Sequence, residues 1–152
     1  MFKIEGGFYV QEKIIKFNNV SFRYEERSPL VIKNVSLTIY KGEWVSIVGH
    51  NGSGKSTLAK FMNALYVPES GEVFVDNMLT KNEETHKHIR RKVAMVFQHP
   101  DNQFVAPTVE DDVAFGLENS GVPYETMVQL VQESIDKMGL NGLEKHEPHR
   151  LS

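Results

Sequence analysis

Apolar side chains recur along this chain with two different periods, and each change of period marks an element. In IIKFNNVSFRY, from Ile14 onward, Val20, Phe22 and Tyr24 alternate with polar residues, which places them on one face of a strand. The stretch EERSP then breaks that strand. VSLTIY (35–40) alternates again, with Val35, Leu37 and Ile39 on one face. Lys41-Gly42 leads into WVSIV (44–48), a continuous apolar run of the kind that forms a strand covered on both faces. The period then becomes helical: Leu58, Phe61, Met62 and Leu65 share a stripe in KSTLAKFMNAL. PESG (68–71) reads as a turn, EVFVD (72–76) as a short strand, and VAMVF (93–97) as a second doubly covered strand, followed by the loop QHPDNQFVAP.

Thr108 and Asp111 have the placement of a capping box, with Asp standing in for Glu or Gln, and predict a short helix through about Leu117. Gly121 and Pro123 break the chain. A longer helix follows, with Met127, Leu130, Val131, Ser134, Ile135 and Met138 on one stripe and Gly139 as its stop. Residues 1–12 hold two glycines and no sustained period, and read as an N-terminal extension. Strands early, a strand–loop–helix unit in the middle and helices late imply an α/β or α+β class.

Composition narrows the function classes. With 40% hydrophobic and 24% charged residues, the 152-residue chain is neither disordered, collagen-like nor a coiled coil. A net charge of −3 gives no electrostatic reason to expect nucleic acid as a partner. The absence of cysteine removes disulfides, thiolate metal sites and thiol nucleophiles. The longest apolar runs hold about five residues, against roughly 20 for a membrane-spanning helix. MFKIEGGFYVQE lacks the apolar stretch of a signal peptide, so action at a membrane is expected from outside the bilayer. His86/His88 and His146/His149 form short pairs, but no cysteine or tight carboxylate cluster completes a metal site, and they read as solvated.

One motif carries chemistry. Gly49-His50-Asn51-Gly52-Ser53-Gly54-Lys55-Ser56 matches G-x-x-x-x-G-K-[ST], placed between an apolar run and a helix. Its glycines permit left-handed backbone and close approach to a ligand. Successive N–H groups can then form an anion nest, and the helix starting near Gly54 aims its positive end at the same place. Lys55 is placed to reach β- and γ-phosphates, and the Ser56 hydroxyl to coordinate Mg²⁺. The expectation is a bound nucleoside triphosphate with magnesium.

GHNGSGKST, with VSFRY upstream and VAMVFQ downstream, resembles the ATP-binding subunits of ABC transporters. KNVSLTIYKGEWVSIVG is similar to that family's lead-in. QHPDNQFVAPTVEDDVAFGLEN is narrower and resembles the ATPases of energy-coupling factor transporters, the importers of vitamins and transition-metal ions. The resemblance runs from Lys13 to Ser152 and implies a P-loop NTPase fold of the ABC ATPase type. Its N-terminal part would hold an antiparallel β subdomain, a partial parallel core sheet with the phosphate-loop helix, and the start of a helical subdomain. It further implies that Tyr24 stacks on adenine, that Gly49 to Thr57 hold the ATP phosphates, and that Gln98, the Q-loop glutamine, reaches Mg²⁺ and the attacking water beside Ser56. From the residues alone, Tyr24 equally well continues the apolar face of Val20 and Phe22, and a glutamine at a strand end is simply solvated.

The chain halts at Leu151-Ser152, where the family's signature Leu-Ser-Gly-Gly-Gln opens. The Walker B aspartate, the water-polarising glutamate and the switch histidine of the family are not in these residues, so the intact ATPase is expected to hydrolyse ATP and these residues alone are not. EVFVD superficially resembles a Walker B strand, yet Asp76-Asn77 is a common turn pair; Glu110, Asp111 and Asp112 fit a helix start rather than catalysis. Lacking neighbouring strands, WVSIV and VAMVF are expected to present apolar edges and leave the isolated residues poorly stable. The resemblance also implies partners: a second ATPase subunit, identical or paralogous; a transmembrane subunit faced by residues 98–120; and a separate substrate-binding membrane subunit. It places the protein peripherally on the cytoplasmic face of the membrane. Rival expectations are a soluble P-loop kinase or GTPase, for which neither an arginine-bearing lid nor Asn-Lys-x-Asp is found, and a non-catalytic nucleotide-binding module.

Overall fold

A computed structural model describes residues 11–151. They separate into two compact units, one up to Met95 and one from Val96. The N-terminal extension expected over residues 1–12 lies almost wholly outside the described residues.

The first unit is a four-stranded antiparallel sheet with a helix on it. Strands β1 (Lys13–Phe22), β2 (Ile32–Tyr40), β3 (Ser70–Val75) and β4 (Met78–Leu79) are ordered β2-β1-β3-β4. Ile15 and Phe17 point into the core, but the alternation does not continue unbroken. The registers with both neighbours shift after Phe17 and Asn18, and Asn19 sits at φ 48°, so a bulge resets the phase and brings Val20 and Phe22 to the same face. The Ser36 hydroxyl accepts from the Asn19 N–H at 2.9 Å and donates to its side-chain oxygen at 3.0 Å, which fixes the bulge. Helix α1 (Lys55–Met62) lays Leu58 and Phe61 on Ile15, Phe17, Val20, Ile32 and Val73. Burying a side chain such as Phe61 fully is worth about 1.5–3 kcal/mol. The helix stops at Met62, so Leu65, expected on its stripe, is exposed instead.

EVFVD falls within β3 and the turn after it. Asp76 (φ 47°) and Asn77 (φ 61°) are the two loop residues of a hairpin in which Val75 pairs with Met78, the left-handed pair that matches strand twist. The Asp76 carboxylate pairs with Lys92 at 2.5 Å. Asp76 is a turn residue. Helix α2 (His86–Lys92) buries Ile89 against Ala64 and Val75, and Arg90 donates to the Ala64 carbonyl at 3.0 Å.

Two expected strands are corrected. Residues 44–48 and 93–97 belong to no strand of the sheet, and several of their side chains are open: Trp44 is 100% exposed, Val48 85% and Val96 80%. The reason is non-local. A strand exists only by pairing, and among the described residues no neighbouring strand lies beside either run. Tyr24 is likewise not on a strand face, because β1 ends at Phe22 and Tyr24 stands in the bend after it.

The second unit holds α3 (Val109–Asn119) and α4 (Tyr124–Met138). The Thr108 hydroxyl accepts from the Asp111 N–H at 3.3 Å and donates to the Asp111 carboxylate at 2.5 Å, the expected cap. Met127 and Ile135 are the buried residues of α4, and Gly139 closes it in the left-handed conformation. Met138, expected on the stripe, is 76% exposed.

Candidate functional site

The loop 49–54 connects the unpaired run 44–48 to α1. Its shape rests on two left-handed glycines, Gly52 at φ 80° and Gly54 at φ 91°. A Cβ on Gly54 would lie 2.8 Å from Ile32 Cδ1 and 3.2 Å from the Val31 carbonyl oxygen, so only glycine fits where the loop meets the core. The Ser53 N–H donates to the His50 carbonyl at 3.2 Å, closing the loop's tip. The half-buried Lys55 folds back over the loop, and its ammonium donates to the Gly49 and His50 carbonyls at 2.8 Å each. Two of the ammonium's three donors thus strap the start of the loop to its end. His50 and Asn51 are exposed at the rim, with His50 Nδ1 2.9 Å from the Asn51 carbonyl oxygen. Ser56 is exposed in the first turn of α1 and Thr57 is buried.

The two helix starts α1 and α3 differ in a way that decides what each can do. The first amides of a helix lack intrahelical partners. At α3 they are provided for internally: Thr108 caps, Glu110, Asp111 and Asp112 fill the first turn, and the Val109 and Glu110 N–H groups donate to the His146 and Glu144 carbonyls at 3.0 Å each. Asp112 accepts from Val105 and Ala106, and Glu110 pairs with Lys145. The three acids are therefore occupied in holding the loop and helix, as the helix-start reading anticipated. At α1 there is no side-chain cap and no acid in the first turn. Its positive end is open to an anion from outside.

Tyr24 lies in this same unit. Its hydroxyl is 2.5 Å from Thr57 Oγ1, and its ring packs edge-on to Phe22 and Tyr66 at 5.2 and 5.7 Å. Sequence reasoning missed the Thr57 contact, since nothing local links residues 33 positions apart. Gln98 is exposed in the second unit, in the bend before the 3-10 turn Pro100–Gln103. Among the described residues no group of three or more His, Asp or Glu is placed to hold a metal ion. His86 Nε2 meets the Thr80 carbonyl at 2.8 Å, and His149 lies 3.2 Å from Glu147.

A glycine-rich loop strapped by its own lysine and feeding an uncapped helix, in a chain of mixed helices and sheet, defines the P-loop NTPase class. The chain belongs to the ABC transporter family, whose model matches residues 32–152. It is 50% identical over 143 residues to the energy-coupling factor transporter ATP-binding protein EcfA1 of Oceanobacillus iheyensis, covering 94% of this chain and 51% of that protein. The chain thus spans about half the length of the curated relatives it matches. Among solved structures, CbiO1 of Clostridium perfringens, part of the ABC transporter complex CbiONQ, matches with a TM-score of 0.79 and 30% identity over 93% of this chain and 57% of that one. The cassette MJ0796, in a dimeric post-hydrolysis state bound to ADP and Pi, matches with a TM-score of 0.72 and 32% identity over 91% of this chain and 63% of that one.

Proposed function

We propose that this chain carries the nucleotide-binding part of the ATPase subunit of an energy-coupling factor importer, a machine that couples ATP binding and hydrolysis to uptake of a vitamin or a transition-metal ion. The observation that carries the reading is the open start of α1: uncapped amides, no first-turn acid, and Lys55 held across the loop that precedes it. Gly49 to Thr57 cradle the triphosphate. The Ser56 hydroxyl is a hard oxygen ligand of the kind magnesium takes, leaving room for phosphate oxygens and water, and the Gln98 amide oxygen, in the second unit, is a ligand of the same chemical type. When bound, Mg²⁺ neutralises charge on the β- and γ-phosphates. Lys55 exchanges its carbonyl partners for phosphate oxygens, and Tyr24 offers its half-open ring to adenine.

The name of the EcfA1 relative supports the importer class, and the dimeric ADP- and Pi-bound cassette supports a paired arrangement. On this reading the chain acts with a second ATPase subunit, a transmembrane subunit and a substrate-binding membrane subunit, peripherally on the cytoplasmic face of the membrane. Residues 98–120 face the transmembrane subunit, presenting Phe104, Val105 and Phe115, each at least 41% exposed. No helix among the described residues is long and apolar enough to cross a membrane, consistent with a peripheral role. The uncovered runs 44–48 and 93–97 are where the family's core sheet adds its further strands.

Calorimetry with MgATP tests the site. The full chain binds it, and Lys55→Ala weakens binding at least tenfold while circular dichroism stays unchanged. Equal affinity of the two proteins for MgATP overturns the assignment, and preference for GTP over ATP shifts it to the GTPase class.

A further inference from the structure

The described residues place one hydroxyl pair in an unusual position. Thr57 is among the few buried polar residues, 3% exposed, and sits in the first turn of α1. Its Oγ1 is 2.5 Å from the hydroxyl of Tyr24, a residue that is 54% exposed. A tyrosine that only filled core would be covered. One that was only a surface ring would send its hydroxyl to water, not to a buried threonine. Tyr24 does neither: it is anchored at its polar end and open along much of its ring.

The anchor spans two separately built parts of the site. Tyr24 belongs to the bend after β1, which no ladder holds, whereas Thr57 belongs to the helix that begins at the phosphate loop. The bend has a second tie, Arg23 to Glu69 at 2.8 Å, so it does not depend on Tyr24 to stay folded. The Tyr24 ring is gripped at its flank by Phe22 and Tyr66, contacts that a phenylalanine keeps.

We propose that the Tyr24–Thr57 hydroxyl bond is a positioning device that sets the distance between the base platform and the phosphate cup. It makes adenine and triphosphate bind as one ligand on one rigid frame rather than as two contacts joined by a mobile bend. The inference rests on the reading that Tyr24 faces adenine and Gly49 to Thr57 face the phosphates. Its physical basis is pre-organisation: a side chain and the bend that carries it, fixed before binding, do not have to be ordered by the ligand, an effect of about two- to tenfold in affinity.

The test uses the full chain and two probes, MgATP and magnesium tripolyphosphate, which has the phosphates and no base. Tyr24→Phe keeps the ring and removes the bond. It is expected to weaken MgATP about two- to tenfold and leave tripolyphosphate unchanged. Thr57→Val keeps the backbone amide of the cup and removes the same bond, so it too is expected to weaken MgATP about two- to tenfold and leave tripolyphosphate unchanged, and adding Tyr24→Phe to it costs MgATP nothing further. That non-additivity is the signature of one shared bond. Unchanged MgATP affinity in Tyr24→Phe overturns the proposal, and so does an equal loss with both probes, which would mean that α1 itself had shifted. Tyr24→Ala separates the layers. If it loses MgATP while Tyr24→Phe does not, the platform stands and the anchor falls; if it loses nothing, the platform reading falls and the anchor with it.

Discussion

Replacing Gly54 by alanine brings two costs together at one atom. At φ 91° an L residue carries a left-handed penalty of about 1–2 kcal/mol. The added Cβ would also stand 2.8 Å from Ile32 Cδ1, 3.2 Å from the Val31 carbonyl oxygen and 3.3 Å from Val31 Cγ1. Ile32 is 5% exposed and packed in the core, so its methyl yields only by leaving its rotamer well, at about 0.5–1.5 kcal/mol. The total is about 1.5–3.5 kcal/mol. Gly52 is the matched control: φ is 80°, but nothing lies within 4 Å of a Cβ there, so only the backbone cost applies. Urea unfolding followed by far-ultraviolet circular dichroism should rank wild type above Gly52→Ala and Gly52→Ala above Gly54→Ala. Gly52→Asn should recover part of the loss, because asparagine tolerates left-handed backbone. Coincident midpoints for Gly52→Ala and Gly54→Ala would refute the reasoning, since they would mean that the loop is not seated against Ile32 and Val31.

Three further outcomes follow from the same kind of accounting. Asn77→Val places a β-branched residue at φ 61° in the β3–β4 hairpin and should lower the thermal midpoint, whereas Asn77→Gly should hold or raise it. Thr108→Ala should cost about 1 kcal/mol and speed amide exchange at Asp111 alone in the first turn, because the Val109 and Glu110 amides keep their carbonyl partners. The Glu144 carboxyl is held below its usual range, first by the Gly142 N–H and then by its own. A folded value below the unfolded one means stability that is present above the unfolded value of 4.5 and lost as pH falls through the folded one. The stability gap between wild type and Glu144→Gln should therefore close on acidification; a gap constant with pH would contradict the bond.

What the sequence reveals divides along a physical line. Features set by neighbours in the chain read correctly: the Thr108–Asp111 cap, the buried Met127 and Ile135 of α4 with its Gly139 stop, the Asp76-Asn77 turn, and the left-handed Gly52 and Gly54 of the loop before α1. Features set by distant neighbours do not. WVSIV and VAMVF have the composition of covered strands, but composition cannot supply the partner strand, and without one they stay open. The period-two face of β1 was legible only in pieces, because the bulge at Asn19 depends on Ser36, seventeen residues away. The hydroxyl contact between Tyr24 and Thr57 has no local signal at all.

The same line explains why a candidate site is legible in a chain that spans about half the length of its relatives. A phosphate cup is made from consecutive backbone amides, a helix start and one lysine, and all of these lie within a few residues of one another. What sets the start of α1 apart is the loop before it: α2 also begins without a side-chain cap or a first-turn acid, but only α1 follows two left-handed glycines and a lysine bonded back to that loop. The chain puts a threonine and two loop carbonyls on the amides of α3 and three acids in its first turn, and puts no side-chain cap and no acid at α1. Leaving helix donors unmet costs stability unless water or a ligand meets them. An uncapped helix start directly after a loop that needs glycine at Gly54, with Lys55 bonded to the Gly49 and His50 carbonyls, is the arrangement on which the proposed phosphate site rests.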